Sequence, residues 1–72
     1  MSAARRFRVG DRVCLSAEGL KRHPRGTAAR QGDVRIISTI RECVVVYVRW
    51  DGRVSDVGYH ETELDLVTRP AR

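Results

Sequence analysis

Long hydrophobic runs are missing from this chain of 72 residues. The longest uninterrupted apolar run is Val44–Val48, whereas a membrane-spanning helix needs about 20 such residues. Residues 1–11 carry positive charge, but no apolar stretch of signal-peptide length follows them. We therefore expect a soluble, cytoplasmic protein with no membrane partner.

Paired metal ligands and nucleotide-binding motifs are absent as well. Structural zinc sites usually show ligands two to four residues apart. Neither the cysteines, Cys14 and Cys43, nor the histidines, His23 and His60, are spaced in this way. No glycine-rich phosphate loop occurs, and the carboxylates are dispersed. The sequence therefore predicts no metal, no cofactor and no catalytic residues, and reduced thiols are the cytosolic default.

The small size of the chain limits the kind of site that it can form. A single domain of this length buries only about 60% of the surface that its unfolded chain exposes. Such a core leaves little room for a catalytic cleft of several hundred cubic ångströms. We therefore expect no enzymatic activity and no small-molecule substrate, and we expect binding on the outer surface.

Positive charge is what the chain has in excess. Lysine and arginine together number 14 against 9 acidic residues, giving a net charge of +5. Residues 1–35 hold nine basic against three acidic residues, whereas residues 36–72 hold five against six. This asymmetry predicts an anionic partner for one side of the molecule. All but one of the basic residues are arginine, so the codon usage of a GC-rich genome is a second explanation.

Alternation of apolar and polar residues predicts about five short strands. The expected strands are Phe7–Leu15 with a bend at Gly10-Asp11, Gly32–Ile40, Val44–Trp50, Arg53–Val57 and a closing strand with Leu64, Leu66 and Val67. Arg41-Glu42 is the expected tip of one hairpin, and Asp51-Gly52 turns the chain in the next. Residues 60–64 have the character of a helical turn.

One face of these strands supplies the expected core. Its members are Val9, Val13, Leu15, Val34, Ile36, Val44, Val46, Val48, Leu64 and Leu66. Phe7 and Trp50 are also assigned to the core, which leaves Tyr47 and Tyr59 as surface aromatics. The pattern does not fix the register of the second strand after Ile36.

Residues 16–31 form the longest segment without strand character. Gly19, Pro24 and Gly26, with Leu20 as the one large apolar residue, predict a long loop with a helical turn. A loop of this length in so small a domain is often functional. After Glu18 the segment contains four basic residues and no acidic one.

Four segments together resemble small bacterial SH3-like barrels of the KOW and Tudor-like kind. They are FRVGDRVCLS (7–16), QGDVRII (31–37), VYVRWDG (46–52) and ETELDLV (61–67). The resemblance implies an all-β fold over residues 7–67: a single antiparallel barrel of about five strands, with one long basic loop and a short helical turn near the C-terminus. Residues 1–6 are then a flexible basic arm, and residues 68–72 a tail. It also implies a binding module, although residues 16–31 exceed the usual KOW length.

Two functions fit these features. The first is binding of nucleic acid, RNA or DNA, through the basic loop and arm. The expected contact residues are Arg5, Arg6, Arg8, Arg12, Lys21, Arg22, Arg25 and Arg30, bordered by Tyr47 and Arg49 as a stacking and phosphate pair. The alternative is a protein-interaction adaptor that uses the barrel surface or an edge strand, in a phage-derived or ribosome-associated assembly. Salt sensitivity distinguishes the two, because phosphate contacts weaken as salt rises.

Overall fold

In the part of the chain that the structure describes, five antiparallel strands form one sheet, accompanied by one short helix and one turn of 3-10 helix. The structure is a computed structural model, and it describes residues 7–26 and 30–69. The elements are β1 (Arg12–Leu15), α1 (Ala17–Arg22), β2 (Gly32–Ile40), β3 (Cys43–Trp50), β4 (Val57–His60), the 3-10 helix η1 (Glu61–Glu63) and β5 (Leu64–Thr68). Within the described ranges, no helix is long and apolar enough to cross a membrane.

The strand order in the sheet is β4-β3-β2-β1-β5. Every neighbouring pair is antiparallel. The two end strands, β4 and β5, follow one another in the chain and are joined by η1. In the described part of the chain the sheet is not closed by pairing between them. The predicted mostly-β architecture of five antiparallel strands is therefore confirmed. The described strands form an open sheet, with β4 at one edge and β5 at the other.

The core lies on one face of this sheet. Its buried members are Phe7, Val13, Leu15, Val34, Val46, Val48, Trp50, Tyr59 and Leu64. All except Tyr59 were expected in the core from the sequence, and Val44, also expected there, is half-buried and packs against it. The alternation along β3 is therefore the strongest correct signal in the sequence.

Ile36 was expected in the core, but 51% of its surface is exposed. A β-bulge between Val34 and Ile36 shifts the register of β2 on β3. Ile36 consequently lies opposite Tyr47 on the outer face, while Ile37 lies opposite the buried Val46. One extra residue on a strand sends every following side chain to the other face, which is why the prediction for Ile36 was wrong.

Val9 and Leu66 are also exposed, so their assignment to the core was wrong. Val9 lies in a turn, because β1 begins only at Arg12 rather than at Phe7. Leu66 lies on β5, which forms one end of the sheet and, among the described strands, has a neighbour on one side only. The alternation of apolar and polar residues indicates which side chains share a face of a strand. It does not indicate where the strand starts or whether other parts of the protein cover that face.

The fourth strand begins later than predicted. Gly52 turns the chain as expected, with a φ of +83°, but β4 starts at Val57 rather than at Arg53. The register of β4 on β3 places Tyr59 opposite the buried Val46. The expectation of Tyr59 as a surface aromatic was wrong for this reason. The other predicted turn, Arg41-Glu42, does form the tip between β2 and β3.

The predicted loop 16–31 contains a helix that is anchored to the opposite end of the chain. The Ser16 side chain accepts a hydrogen bond from the Gly19 N–H at 3.1 Å and so caps α1. The Ser16 hydroxyl donates to the Thr62 carbonyl at 2.7 Å, and its N–H donates to the Glu63 carbonyl at 2.9 Å. These bonds dock α1 on η1 and fix where residues 23–26 leave the helix.

A basic cavity as the candidate functional site

A cavity of about 340 Å³ lies between the segment after α1, the loop 51–56 and β4. Small-ligand sites in proteins have volumes of about 300–1,000 Å³, so this cavity lies at the lower end of that range. The expectation of little room for a deep catalytic cleft of several hundred cubic ångströms stays a prediction, because a cavity of this volume is not by itself a catalytic cleft. The space exists because residues 51–56 leave the sheet before β4 begins.

Leu15 and two aromatic rings form the floor of the cavity. The Trp50 indole N–H donates to the Tyr59 hydroxyl at 2.9 Å, and the two rings meet edge to face with centroids 5.6 Å apart. His23 meets Tyr59 in the same manner at 5.0 Å. Such ring pairs contribute about 0.5–1.5 kcal/mol each beyond the area that they bury. The floor is therefore a fixed part of the core.

Replacing Tyr59 by Phe should lower the free energy of unfolding by about 1–2 kcal/mol, because the buried Trp50 N–H loses its acceptor. Urea denaturation followed by Trp50 emission measures this, since Trp50 is the sole tryptophan. Tyr47→Phe, on the outer face, is the matched control and should change stability by less than about 0.5 kcal/mol. Equal stability of the Tyr59→Phe variant and the parent would contradict a contribution from this bond.

Three exposed arginines, Arg25, Arg30 and Arg53, line the cavity. Arg25 and Arg53 have no carboxylate within ion-pair distance among the described residues. The described lining also contains no acidic side chain. The cavity therefore favours a negatively charged ligand, and it disfavours cations such as the methylated lysines that aromatic cages bind.

The acidic residues on either side of Arg53 are engaged by other arginines. Asp51 accepts hydrogen bonds from Arg12 at 2.6 and 2.9 Å, which lower the pKa of this carboxyl. Arg12 also donates to Asp33 at 2.9 Å, and the bonds to the two carboxylates raise the Arg12 pKa. Asp56 accepts from Arg49 at 2.8 Å. These pairs hold both ends of the loop 51–56 and leave the charge of Arg53 uncompensated by direct contact.

The structure separates the predicted contact residues into groups. Arg5 and Arg6 lie outside the described residues. Arg8 is exposed in the turn before β1, and Lys21 is exposed on α1. Arg12 is occupied by the two carboxylates described above. Of the described residues, Arg8, Arg12 and Lys21 do not line the cavity, whereas Arg25 and Arg30, which were also predicted, do.

Arg22 and the pair Tyr47 and Arg49 are also placed away from the cavity. Arg22 lies within 3.2 Å of Glu18 and 3.7 Å of Glu63, as ion pairs at the surface of α1. Tyr47 and Arg49 alternate with the buried residues of β3 and therefore lie on the outer face. The Tyr47 ring packs over Gly58, where an added Cβ atom would lie 3.1 Å from it. Tyr47 thus packs on the sheet surface beside an arginine that already holds Asp56.

His23, Trp50, Arg53, Ser55 and Tyr59 line the cavity but were not among the predicted contact residues. Four of these five come from β3, the loop 51–56 and β4, which the sequence assigned to a tight hairpin. The one sequence feature that could have indicated this part of the site was Arg53, a cationic residue directly after the turn at Gly52. Its relation to Arg25 depends on contacts between segments that are far apart in the chain.

His23 stands at the junction of the cavity wall and η1. Its Nε2 atom lies 3.4 Å from a carboxylate oxygen of Glu63, within ion-pair distance. That atom is buried and has no hydrogen-bond partner among the described groups. The contact that positions His23 is the packing of its ring against Tyr59, with the ring centroids 5.0 Å apart.

The two cysteines are both free. Burial, and then the charge of Asp65, raise the pKa of the Cys14 thiol. Cys14 is therefore a protonated and poorly nucleophilic thiol at neutral pH. The part of the chain that the structure describes contains no cluster of three or more His, Cys, Asp or Glu side chains that could hold a metal ion.

The cavity thus combines an aromatic and aliphatic floor with arginines on two separate segments. Its chemistry suits a ligand with a flat, weakly polar portion and a strongly anionic portion. Ser55 adds a hydroxyl that can donate or accept a hydrogen bond. No protein-family model, no curated protein and no solved structure matches this chain.

Proposed function

We propose that this protein is a non-enzymatic binding module that contacts nucleic acid, RNA or DNA, at the basic cavity. The observation that carries the proposal is the placement of Arg25 and Arg53 on one cavity, with no carboxylate partner among the described residues. The guanidinium group is planar and matches two phosphate oxygens at once. Phosphates repeated along a strand allow a further contact from Arg8 before β1.

The proposal includes an SH3-like barrel of the KOW and Tudor-like kind and a location in the cytoplasm. What supports the fold is the strand order, together with η1, which connects the two end strands of the sheet. The free cysteines are consistent with a reducing compartment. Folds of this class carry several functions, so the choice of nucleic acid rests on the cavity and its arginines.

A single strand suits this site better than a duplex does. In a duplex the bases are stacked and paired inside the helix, so they are not available to enter a cavity. Proteins that recognise RNA in a sequence-dependent manner therefore mostly contact unpaired loops, bulges and ends. Single-strand binders combine aromatic side chains with cationic ones, as the cavity does with His23, Arg25 and Arg53.

Salt dependence tests the proposal. A labelled single strand of about 12 nucleotides, within the usual site size of single-strand binders, is titrated at several salt concentrations and followed by fluorescence anisotropy. We expect affinity to fall steeply with salt for the parent protein. Arg25→Ala/Arg53→Ala should weaken binding and lower the slope by about 0.7 for each phosphate that the variant no longer neutralises.

Lys21→Ala/Arg35→Ala is the matched control. It removes the same charge from exposed positions that do not line the cavity. This variant should lose less affinity than Arg25→Ala/Arg53→Ala, because only long-range attraction is reduced. If the two double variants bind the strand equally well at each salt concentration, the cavity is not the nucleic-acid site.

A protein-interaction adaptor is the second candidate, and one observation favours it. Ile36 and Ile40 are 51% and 52% exposed, and their register on β3 places them on the outer face with Val45 and Tyr47. Exposed apolar patches of this kind mark protein interaction sites. Lysate partners that resist nuclease and high salt, and that Ile36→Ser/Ile40→Ser loses, would favour the adaptor over nucleic-acid binding.

A further inference from the structure

The basic cavity is closed at its floor by the core of the protein. Leu15, Trp50 and Tyr59, which line the floor, are only 4%, 5% and 8% exposed. A base that enters the cavity can therefore go no deeper than this floor. The parts of a strand that reach the floor most readily are one of its ends and a nucleotide that is turned out of the strand.

Two arginines approach the cavity from different segments, Arg25 from the segment after α1 and Arg53 from the loop after β3. Each guanidinium offers a planar pair of N–H donors. An internal phosphodiester carries one negative charge and two free oxygens. A phosphate monoester carries about −1.5 to −2 charges at pH 7 and three free oxygens. Two guanidinium groups therefore match the monoester better than the diester.

The remaining lining offers a slot for a flat ring. His23 is half-buried and Val57 is 43% exposed, and both line the cavity. Hydrogen-bonding groups are also present. In the bond with the Trp50 N–H the Tyr59 hydroxyl acts as acceptor, so that bond does not use its hydrogen, and Ser55 adds a second hydroxyl.

We propose that the cavity holds the terminal nucleotide of a single strand that ends in a phosphate monoester. The phosphate lies against Arg25 and Arg53, and the base enters between His23 and Val57. This inference rests on the proposed function, because it names the part of the nucleic acid that the cavity takes. A free nucleoside monophosphate has the same chemistry and serves as a small probe of the same site.

The emission of Trp50 reports entry into the cavity, because this sole tryptophan lies in the floor. The probes are one single-stranded sequence with hydroxyl groups at both ends, with a 5′-phosphate and with a 3′-phosphate, together with adenosine and adenosine 5′-monophosphate. We expect at least one phosphorylated strand to bind about tenfold more tightly than the hydroxyl-ended strand. Adenosine 5′-monophosphate should compete with it, and adenosine should not.

The two double variants separate local recognition from general attraction. Arg25→Ala/Arg53→Ala should bind phosphorylated and hydroxyl-ended strands equally. Lys21→Ala/Arg35→Ala should bind both strands more weakly but keep the preference for the phosphorylated end. Thermal unfolding of each variant, expected to match that of the parent, establishes that the change lies in binding, since all four side chains are exposed.

The outcomes distinguish this inference from the proposed function. Salt-dependent binding with equal affinity for phosphorylated and hydroxyl-ended strands would overturn the terminal-phosphate inference and leave nucleic-acid binding intact. Binding of the free nucleotide without binding of either phosphorylated strand would also overturn it, in favour of a mononucleotide site. No binding of any strand would overturn the proposed function itself.

Discussion

Gly19→Ala should lower the free energy of unfolding by about 3 kcal/mol or more. A Cβ atom at this position would overlap the carbonyl oxygen of Glu63, and it would lie 3.1 Å from the carbonyl carbon and from the Leu15 side chain. The Glu63 backbone cannot move aside easily, because its carbonyl accepts the Ser16 N–H at 2.9 Å. Alanine normally stabilises a helix relative to glycine by about 1 kcal/mol, so the close approach reverses the usual sign.

Two control variants isolate this effect in chemical denaturation. Lys21→Ala, an exposed position on the same helix, should change stability by less than about 0.5 kcal/mol. Gly52→Ala should cost about 1–2 kcal/mol, because a φ of +83° is unfavourable for alanine. No described atom lies within 4 Å of an added Cβ atom there, so this variant tests backbone strain without a steric overlap. If Gly19→Ala is as stable as the parent, α1 does not pack on η1 in the way described.

The contact between α1 and η1 matters for the candidate site as well as for stability. Residues 23–26 follow α1 directly and form one wall of the cavity with His23, Arg25 and Gly26. A displaced α1 would carry these residues with it. We therefore regard Gly19 as a position that sets the geometry of the cavity although it is not among the described residues that line it.

Most of the sheet and core followed from the alternation along the chain, and the errors have local physical causes. At Ile36 and Ile37 two apolar residues stand side by side, so either can face the core. The bulge after Val34 decides between them. A bulge depends on how the strand pairs with its neighbour, which the residues of β2 alone do not specify.

Charge counting predicted two of the arginines that line the cavity, Arg25 and Arg30, and missed Arg53. The reason is that pairing between distant residues decides which cations stay available. Arg12 meets Asp33 and Asp51, which are 21 and 39 residues away. No local pattern shows such pairs, so a sequence can give the number of basic residues but not how many retain uncompensated charge.

Asp11 joins the two ends of the described fold and should be the most important acidic residue for stability. Its side chain is fully buried and accepts the Arg8 N–H at 2.8 Å. Arg69, directly after β5, donates two hydrogen bonds to it at 3.1 Å. Burial alone raises the pKa of Asp11, but the hydrogen bonds from Arg69 and Arg8 outweigh it, so the Asp11 pKa is lowered.

Asp11→Ala should lower the free energy of unfolding by about 2–3 kcal/mol at neutral pH, because the variant removes the carboxylate that accepts the Arg8 N–H and two hydrogen bonds from Arg69. The Arg69 side chain is 39% exposed. Water therefore solvates the Arg69 side chain in part. The loss of stability should for this reason be smaller than the roughly 3–5 kcal/mol that follows when a fully buried ion pair loses one partner. Urea denaturation at several pH values measures the effect.

The pH dependence gives Asp11→Ala a signature that simple loss of packing would lack. The folded-state pKa of Asp11 lies below its ordinary value of 3.8. Its contribution to stability is therefore fully present above that value and is lost as the pH falls through the folded-state pKa. The stability gap between the parent and Asp11→Ala should narrow in acid. Asp65→Ala, which removes an exposed carboxylate from β5, is the control. It should be as stable as the parent at neutral pH, and its stability relative to the parent should not change in acid. If the difference in stability between the parent and Asp11→Ala stays constant with pH, Asp11 is not charged in the folded protein.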